Sequence, residues 1–215
     1  MGIKTKILDA VPFSGTTHML FDRAKKRTAM DFNGFPTPRH TTIFVWEPYD
    51  GIGHVSMAIG DQTRFTMEKW YHQTVGYASW FPGASTIDPD VSGADGMGVL
   101  PGRKYLKRSH TFMEDCKSEG CGGESDAPGK PEHIIQLLGL SVPAMMAEWS
   151  EICDKPDAHY RLLRKNCSTI VARILRAGTK GLTVWNQATV QLWAHQVYWT
   201  PQDCLKFAKV LKNMQ

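Results

Sequence analysis

Hydrophobic and polar positions alternate in different ways along the chain and divide it into three stretches. Up to about Arg39 the pattern is irregular, interrupted by Pro12, Pro36 and Pro38, and no element is expected there. From His40 to about Pro101 the signals are those of strands. Thr41–Trp46 is β-branched and aromatic, Gly53–Gly60 alternates, and Thr74–Phe81 repeats the pattern before Pro82 and Gly83 end it. These runs predict an antiparallel sheet. The 84–135 region carries no placeable motif, and its part from Asp115 to Pro131, rich in Gly, Ser, Asp and Pro, reads as a long surface loop.

The last third is helical. Ser141 is a cap for a helix through Met145, Met146 and Trp149. Asn166 to Ala177 places Ile170, Val171, Ile174 and Leu175 at helical spacing, and Gly178 stands where a glycine stop belongs. Thr200, Pro201 and Asp203 spell a capped start, followed by Leu205, Phe207, Ala208, Val210 and Leu211. The expectation is one α+β domain over residues 1–215. It comprises an irregular segment 1–39 and a core 40–211 with an insertion loop at about 84–135.

Composition narrows the function classes. With 42% hydrophobic and 21% charged residues in 215, the chain is neither disordered nor a membrane protein. No apolar run approaches the ~20 residues that cross a bilayer, and no leader pattern follows Met1, so neither stable membrane insertion nor a cleavable signal peptide is expected. Lys6 stands where a myristoylation motif at Gly2 would want Ser or Thr. The formal charge of +4 is spread out except for basic runs at Arg23–Arg27 and Arg103–Arg108. Such runs are usually solvated surface, and no zinc-finger spacing, phosphate loop or RNA-binding signature accompanies them, so no nucleic-acid partner is expected.

Five cysteines, Cys116, Cys121, Cys153, Cys167 and Cys204, are too few and irregular for a disulfide framework. Cys116 and Cys121 read as two loop thiols. His110 and His133 lie at spacings unsuited to a metal site with them, and neither metal nor cofactor is expected.

Cys167 stands apart. It opens the clearest amphipathic helix, where unpaired N–H groups and the helix dipole favour a thiolate and Arg164 and Lys165 add positive potential. A small buried core cysteine is the commoner role in general. Its polar neighbours Asn166 and Ser168 favour function here. A nucleophilic thiol needs a base, and His54 is the best of eight histidines, because it follows Gly53 at the start of an alternating strand. Taken alone, a histidine there would be a surface or capping group. Trp46, Tyr49, Trp80 and Trp185 are candidates to line a cleft, against the ordinary role of tryptophan in the core. Cys121 lacks a following helix and sits among acids that would raise its pKa, and Cys153 and Cys204 lie within helical patterns.

The pair of motifs, Gly53–Gly60 and, far downstream, Tyr160–Thr169, resembles the circularly permuted papain-like fold, in which the histidine strand precedes the cysteine helix. That group includes relatives of the NlpC-type peptidoglycan amidases and the lecithin:retinol acyltransferase family. Tyr77–Pro82 and Trp199–Pro201 are similar to a bacterial branch that includes type VI secretion effectors. The resemblance implies an antiparallel sheet packed on helices, Cys167 as nucleophile at a helix N-terminus and His54 as general base. A third polar residue on the strand after the histidine strand would orient the imidazole. Ser79 is the choice if the two strands form a hairpin, with His72 and Glu68 as alternatives. The Cys167 N–H is the expected first oxyanion donor.

The resemblance further implies a cysteine amidase or endopeptidase cutting peptidoglycan peptides, delivered without a signal peptide by a type VI apparatus into the target-cell periplasm. A secretion carrier and a cognate immunity protein would be its partners. The rival readings are a thiol acyl hydrolase, acyltransferase or deamidase acting on lipid or host protein, and a non-catalytic binding domain with the same fold.

Overall fold

The computed structural model describes residues 40–48, 53–61, 76–85, 104–119, 129–155, 158–179, 189–193 and 195–215. The expectations for residues 1–39, and those for Tyr49, Glu68, His72, Cys121 and Trp185, lie outside them.

The strand signals of the second stretch build the centre of the fold. β1 (His40–Trp46) pairs antiparallel with β2 (His54–Asp61), placing Trp46 opposite His54 and Phe44 opposite Ser56. β3 (Gly76–Ala78) joins the free edge of β2 with Ala78 opposite Met57. β4 (Phe81–Ser85) and β5 (Tyr105–Arg108) follow, then α1 (Phe112–Glu119) and β6 (His133–Leu137), which pairs with β1. The first sheet therefore runs β3-β2-β1-β6. α2 (Val142–Asp154), β7 (His159–Tyr160), α3 (Cys167–Gly178) and α4 (Pro201–Asn213) complete the order, and β4-β5-β7 form a second small sheet. The architecture is mixed α+β, antiparallel sheets packed against helices.

Alternation gives the first sheet two buried faces. Ile43, Val45, Val55, Met57, Ile59, Ala78, Ile135 and Leu137 point to one side, where they join α2, α3 and α4 through Met145, Ile152, Ile170, Ile174, Phe207 and Leu211. Phe44, Trp46 and Ala58 point to the other and meet Phe112 and Cys116 of α1. Burying side chains of this size contributes on the order of 1.5–3 kcal/mol each.

The helix starts follow their sequence signals. Ser141 accepts from the Ala144 N–H, Asn166 from Thr169, and Thr200 forms a reciprocal capping box with Asp203.

Three expectations are corrected. The stretch Thr74–Phe81 is not one strand: β3 ends at Ala78, and β4 begins at Phe81 in the other sheet. The switch sends Ser79 toward His54, while Trp80, 1% exposed, packs edge-on against Trp149 in the main core. Pro82 is accommodated because β4 is an edge strand.

Gly178 is not a left-handed stop. α3 closes at Thr179 in right-handed conformation, and Gly178 is needed for packing, since a Cβ there would lie 2.7 Å from Met145 Cγ.

Finally, the expected 84–135 loop contains β5, α1 and the first half of β6. The two thiols assigned to it separate: Cys121 lies outside the described residues, whereas Cys116 is buried within α1 as a free thiol. Burial and the Asp115 charge push it up to about 11.

Candidate functional site

Cys167 is the first residue of α3, and its position is fixed by Asn166. The Asn166 amide donates to the carbonyls of Leu162 at 2.8 Å and Trp199 at 2.9 Å, and its oxygen accepts from the Thr169 N–H at 2.8 Å and hydroxyl at 2.9 Å. All four hydrogen-bonding positions of this buried side chain are used, which ties the start of α3 to the chain before α4. The N–H groups of Cys167 and Ser168 precede the first intrahelical bond and stand at the positive end of the helix.

His54 is the first residue of β2. Gly53 makes that placement possible: its φ is +72°, and a Cβ would lie 2.7 Å from the Trp46 carbonyl oxygen. The imidazole lies between Trp46 and Phe81, with ring centroids at 5.5 and 5.1 Å, and is 2% exposed. It lies beside the Cys167 thiol, which favours a proton on the ring. The structure thus brings together two residues separated by more than a hundred positions.

His54 Nε2 faces a group that sequence reasoning missed. His54 Nε2 lies 3.3 Å from Asp115 Oδ2, and Asp115 is wholly buried on α1. Ser79 is close as well, its Oγ 3.4 Å from His54 Nε2, and it donates to Asp115 Oδ1 at 2.8 Å. Ser79 therefore bridges imidazole and carboxylate, and Asp115 carries the charge. The remaining acceptor capacity of Asp115 is filled by His110 Nδ1, 3.1 Å from Oδ1, and by the Tyr77 hydroxyl on Oδ2, which in turn meets the Ser56 hydroxyl. His110 also stacks on Phe81 with centroids 4.4 Å apart.

The electrostatics follow from burial and these contacts. Burial opposes a charge on His54, but the Asp115 charge and hydrogen bond, with the Cys167 contact, outweigh it and hold the imidazole well above its usual pKa. Burial likewise opposes ionisation of Asp115, yet His54, His110 and Tyr77 together hold its carboxyl below the usual carboxylate range. Tyr160 is buried near the thiol, and burial first, then Cys167, raises its phenol. The thiols of Cys153, pushed up to about 11, and of Cys204, raised well above the ordinary value, owe their shifts mainly to burial.

A signal for Asp115 existed. Thr111 and Glu114 form a reciprocal cap, the Thr111 N–H donating to Glu114 Oε2 at 2.6 Å and the Glu114 N–H to Thr111 Oγ1 at 3.3 Å. Thr-Phe-Met-Glu spells that helix start in the sequence. Among the tryptophans expected at a cleft, Trp46 walls His54 and donates to the Gly129 carbonyl at 3.1 Å, whereas Trp80 belongs to the core.

Thiol, imidazole and carboxylate in this order can form and resolve an acyl-thioester. Among the described residues no cluster of His, Cys, Asp and Glu is arranged to hold a metal ion.

Residues 97–215, more than half of the chain and including Asp115 and Cys167, match the family model of the IcsB middle domain. The chain is similar to the multifunctional-autoprocessing repeats-in-toxin proteins of Vibrio vulnificus and Vibrio cholerae serotype O1, 39% identical to each over 82 residues, or 38% of the chain. It spans about 2% of the length of these relatives. No solved structure matches it.

Proposed function

The chain belongs to the IcsB middle-domain family, and from that premise we propose that it is a cysteine acyl-transfer enzyme working as a toxin or effector module. The observation that carries this reading is the buried line Cys167–His54–Asp115, in which a carboxylate held ionised stabilises the imidazolium left after proton transfer from the thiol.

In the first half-reaction the Cys167 sulfur attacks the acyl carbonyl, whose oxygen develops negative charge at the Cys167 N–H and the α3 terminus. His54 gives its proton to the leaving group, and a thioester remains. In the second half, His54 takes a proton from the incoming nucleophile, which displaces the sulfur. Water makes the enzyme a hydrolase; an amine or hydroxyl makes it an acyltransferase.

As substrate we put an acyl ester or amide of a lipid or protein first, because Trp46, Phe81 and Tyr160 surround the reacting pair with apolar surface. The peptidoglycan peptide, with type VI delivery to the periplasm, rests on motif resemblance.

The test is intact-mass spectrometry of the protein incubated with activated acyl esters, acyl-lipids and purified peptidoglycan. A substrate-dependent adduct on Cys167, absent from Cys167→Ala, is the expected result. New stem-peptide fragments made by the wild type alone would return peptidoglycan to first place. Products formed equally by Cys167→Ala would remove the thiol from the mechanism.

A further inference from the structure

The basic run Arg103–Arg108 takes no part in the thiol chemistry. Its last four residues are β5, where Tyr105 points into the core and Leu106, Lys107 and Arg108 are exposed. β5 pairs with β7, and directly after β7 the chain makes a tight turn in which Arg161 and Lys165 exchange backbone hydrogen bonds at 3.1 and 2.9 Å.

The turn gathers cations from four elements around Lys165, whose Nζ lies 5.9 Å from the centroid of the Trp80 ring. Lys107 comes from β5, its Nζ on the Cys153 carbonyl; Lys155 follows α2; Arg161 comes from the turn and Arg173 from α3. Burial, then these four neighbours, lowers the pKa of Lys165. Two nearby carboxylates are already engaged, Glu151 with Lys155 at 3.0 Å and Glu148 with Arg173. Among the described residues no acid pairs with Lys107, Arg161 or Lys165, and the buried Arg161 Nε has no hydrogen-bond partner. The same elements carry two exposed leucines, Leu106 of β5 at 54% and Leu163 of the turn at 51% exposure.

We propose that this face, formed by β5, β7 and the 161–165 turn, docks the domain on an anionic phospholipid bilayer. The cations meet lipid phosphates, and Leu106 and Leu163 enter the interface. Charge complementarity selects an anionic surface, and the exposed leucines select a lipid one over nucleic acid or an acidic peptide, which offer them no apolar phase. Cys167 follows the turn by two residues, so docking brings the thiol site close to the membrane.

Co-sedimentation of the full chain with vesicles of phosphatidylcholine alone, or mixed with phosphatidylserine, tests the proposal independently of the enzymatic reading, and Cys167→Ala is expected to bind as the wild type does. Binding should require phosphatidylserine and weaken as salt rises. The combined Lys107→Gln, Arg161→Gln and Lys165→Gln variant should bind on the order of a hundredfold more weakly, at roughly a factor of five for each cation. Leu106→Ser with Leu163→Ser changes two exposed side chains and should weaken vesicle binding while leaving binding to heparin unchanged. Equal binding to both vesicle types would overturn the proposal. So would unchanged binding by the leucine variant, or tighter binding to RNA or polyglutamate than to vesicles.

Discussion

The two faces of the first sheet are both buried, and they are built from different chemistry. The face toward α2, α3 and α4 is apolar throughout, with Ile43, Val45, Met57, Ile174 and Phe207 among its members. The face toward α1 has a small aromatic cluster of Phe44, Trp46 and Phe112, and beside it Ser56, Tyr77, Asp115, Ser79, His110 and His54 share one hydrogen-bonded network. Burying five of these polar side chains, with Tyr77 half-buried, is costly unless each is paired. Among the described residues, His110 Nε2 is the atom of this network left without a partner. The apolar face makes the fold stable; the polar face spends part of that stability on holding one carboxylate ionised behind one imidazole.

Substitutions should separate these roles. The largest effect is expected from Cys167→Ala, which removes the proposed nucleophile, and Asp115→Asn, which keeps the shape and removes the charge. Each should lower turnover by about 10⁴-fold. For Cys167→Ala the thermal midpoint should change little, and calorimetry beside the kinetic assay checks that the loss is chemical.

On the apolar face the order reverses. Phe207→Ala should cost about 3–5 kcal/mol in urea unfolding, while folded protein retains its activity per molecule. Phe112→Ala breaks the contrast deliberately: it truncates a ring 4.8 Å from Phe44 on the helix that carries Asp115, so stability and turnover should both fall.

The pH dependence of stability gives a third comparison. His54 is raised above 6.5, so its contribution is complete below that value and disappears as pH rises through the folded pKa. Asp115 is lowered below 3.8, so its contribution is present above that value and disappears as pH falls through the folded pKa. The stability difference between wild type and Asp115→Asn, from urea midpoints at each pH, should therefore be greatest between about pH 4 and 6.5. A flat difference would mean that the pair is not ionised as described.

The smallest effect is expected at Ser79. Ser79→Ala removes one hydrogen bond to the ionised Asp115 and leaves Asp115 on His54, so turnover should fall by roughly ten- to a hundredfold, the range for one hydrogen bond to a charged group. A loss as large as that of Asp115→Asn would move the orienting role to the hydroxyl.

The same contrast explains what the sequence reveals. Apolar periodicity marks β1, β2 and α3, because each lays one regular stripe against the main core, and the Ser141, Asn166 and Thr200 caps are spelled locally. Cys167 and His54 are legible because each opens such an element. Asp115 is marked only by the Thr111–Glu114 cap, since it sits on an eight-residue helix whose composition is that of a loop and whose outer face is mostly polar. Its partners are tertiary: His54 and Ser79 come from another sheet region, and only His110 is close in sequence. Gly178 misleads for the same reason, because the contact that requires it comes from Met145 on a different helix.

The most direct test of the central claim, that Asp115 acts through His54 on the Cys167 thiol, is the site-resolved rate of iodoacetamide alkylation as a function of pH, read by mass spectrometry. In the wild type Cys167 should react near neutral pH well ahead of Cys116, Cys153 and Cys204, whose thiols are raised. In Asp115→Asn its rate at neutral pH should fall toward that of the buried thiols. Superimposable profiles for the two proteins, or a Cys167 no faster than its buried neighbours, would contradict the account.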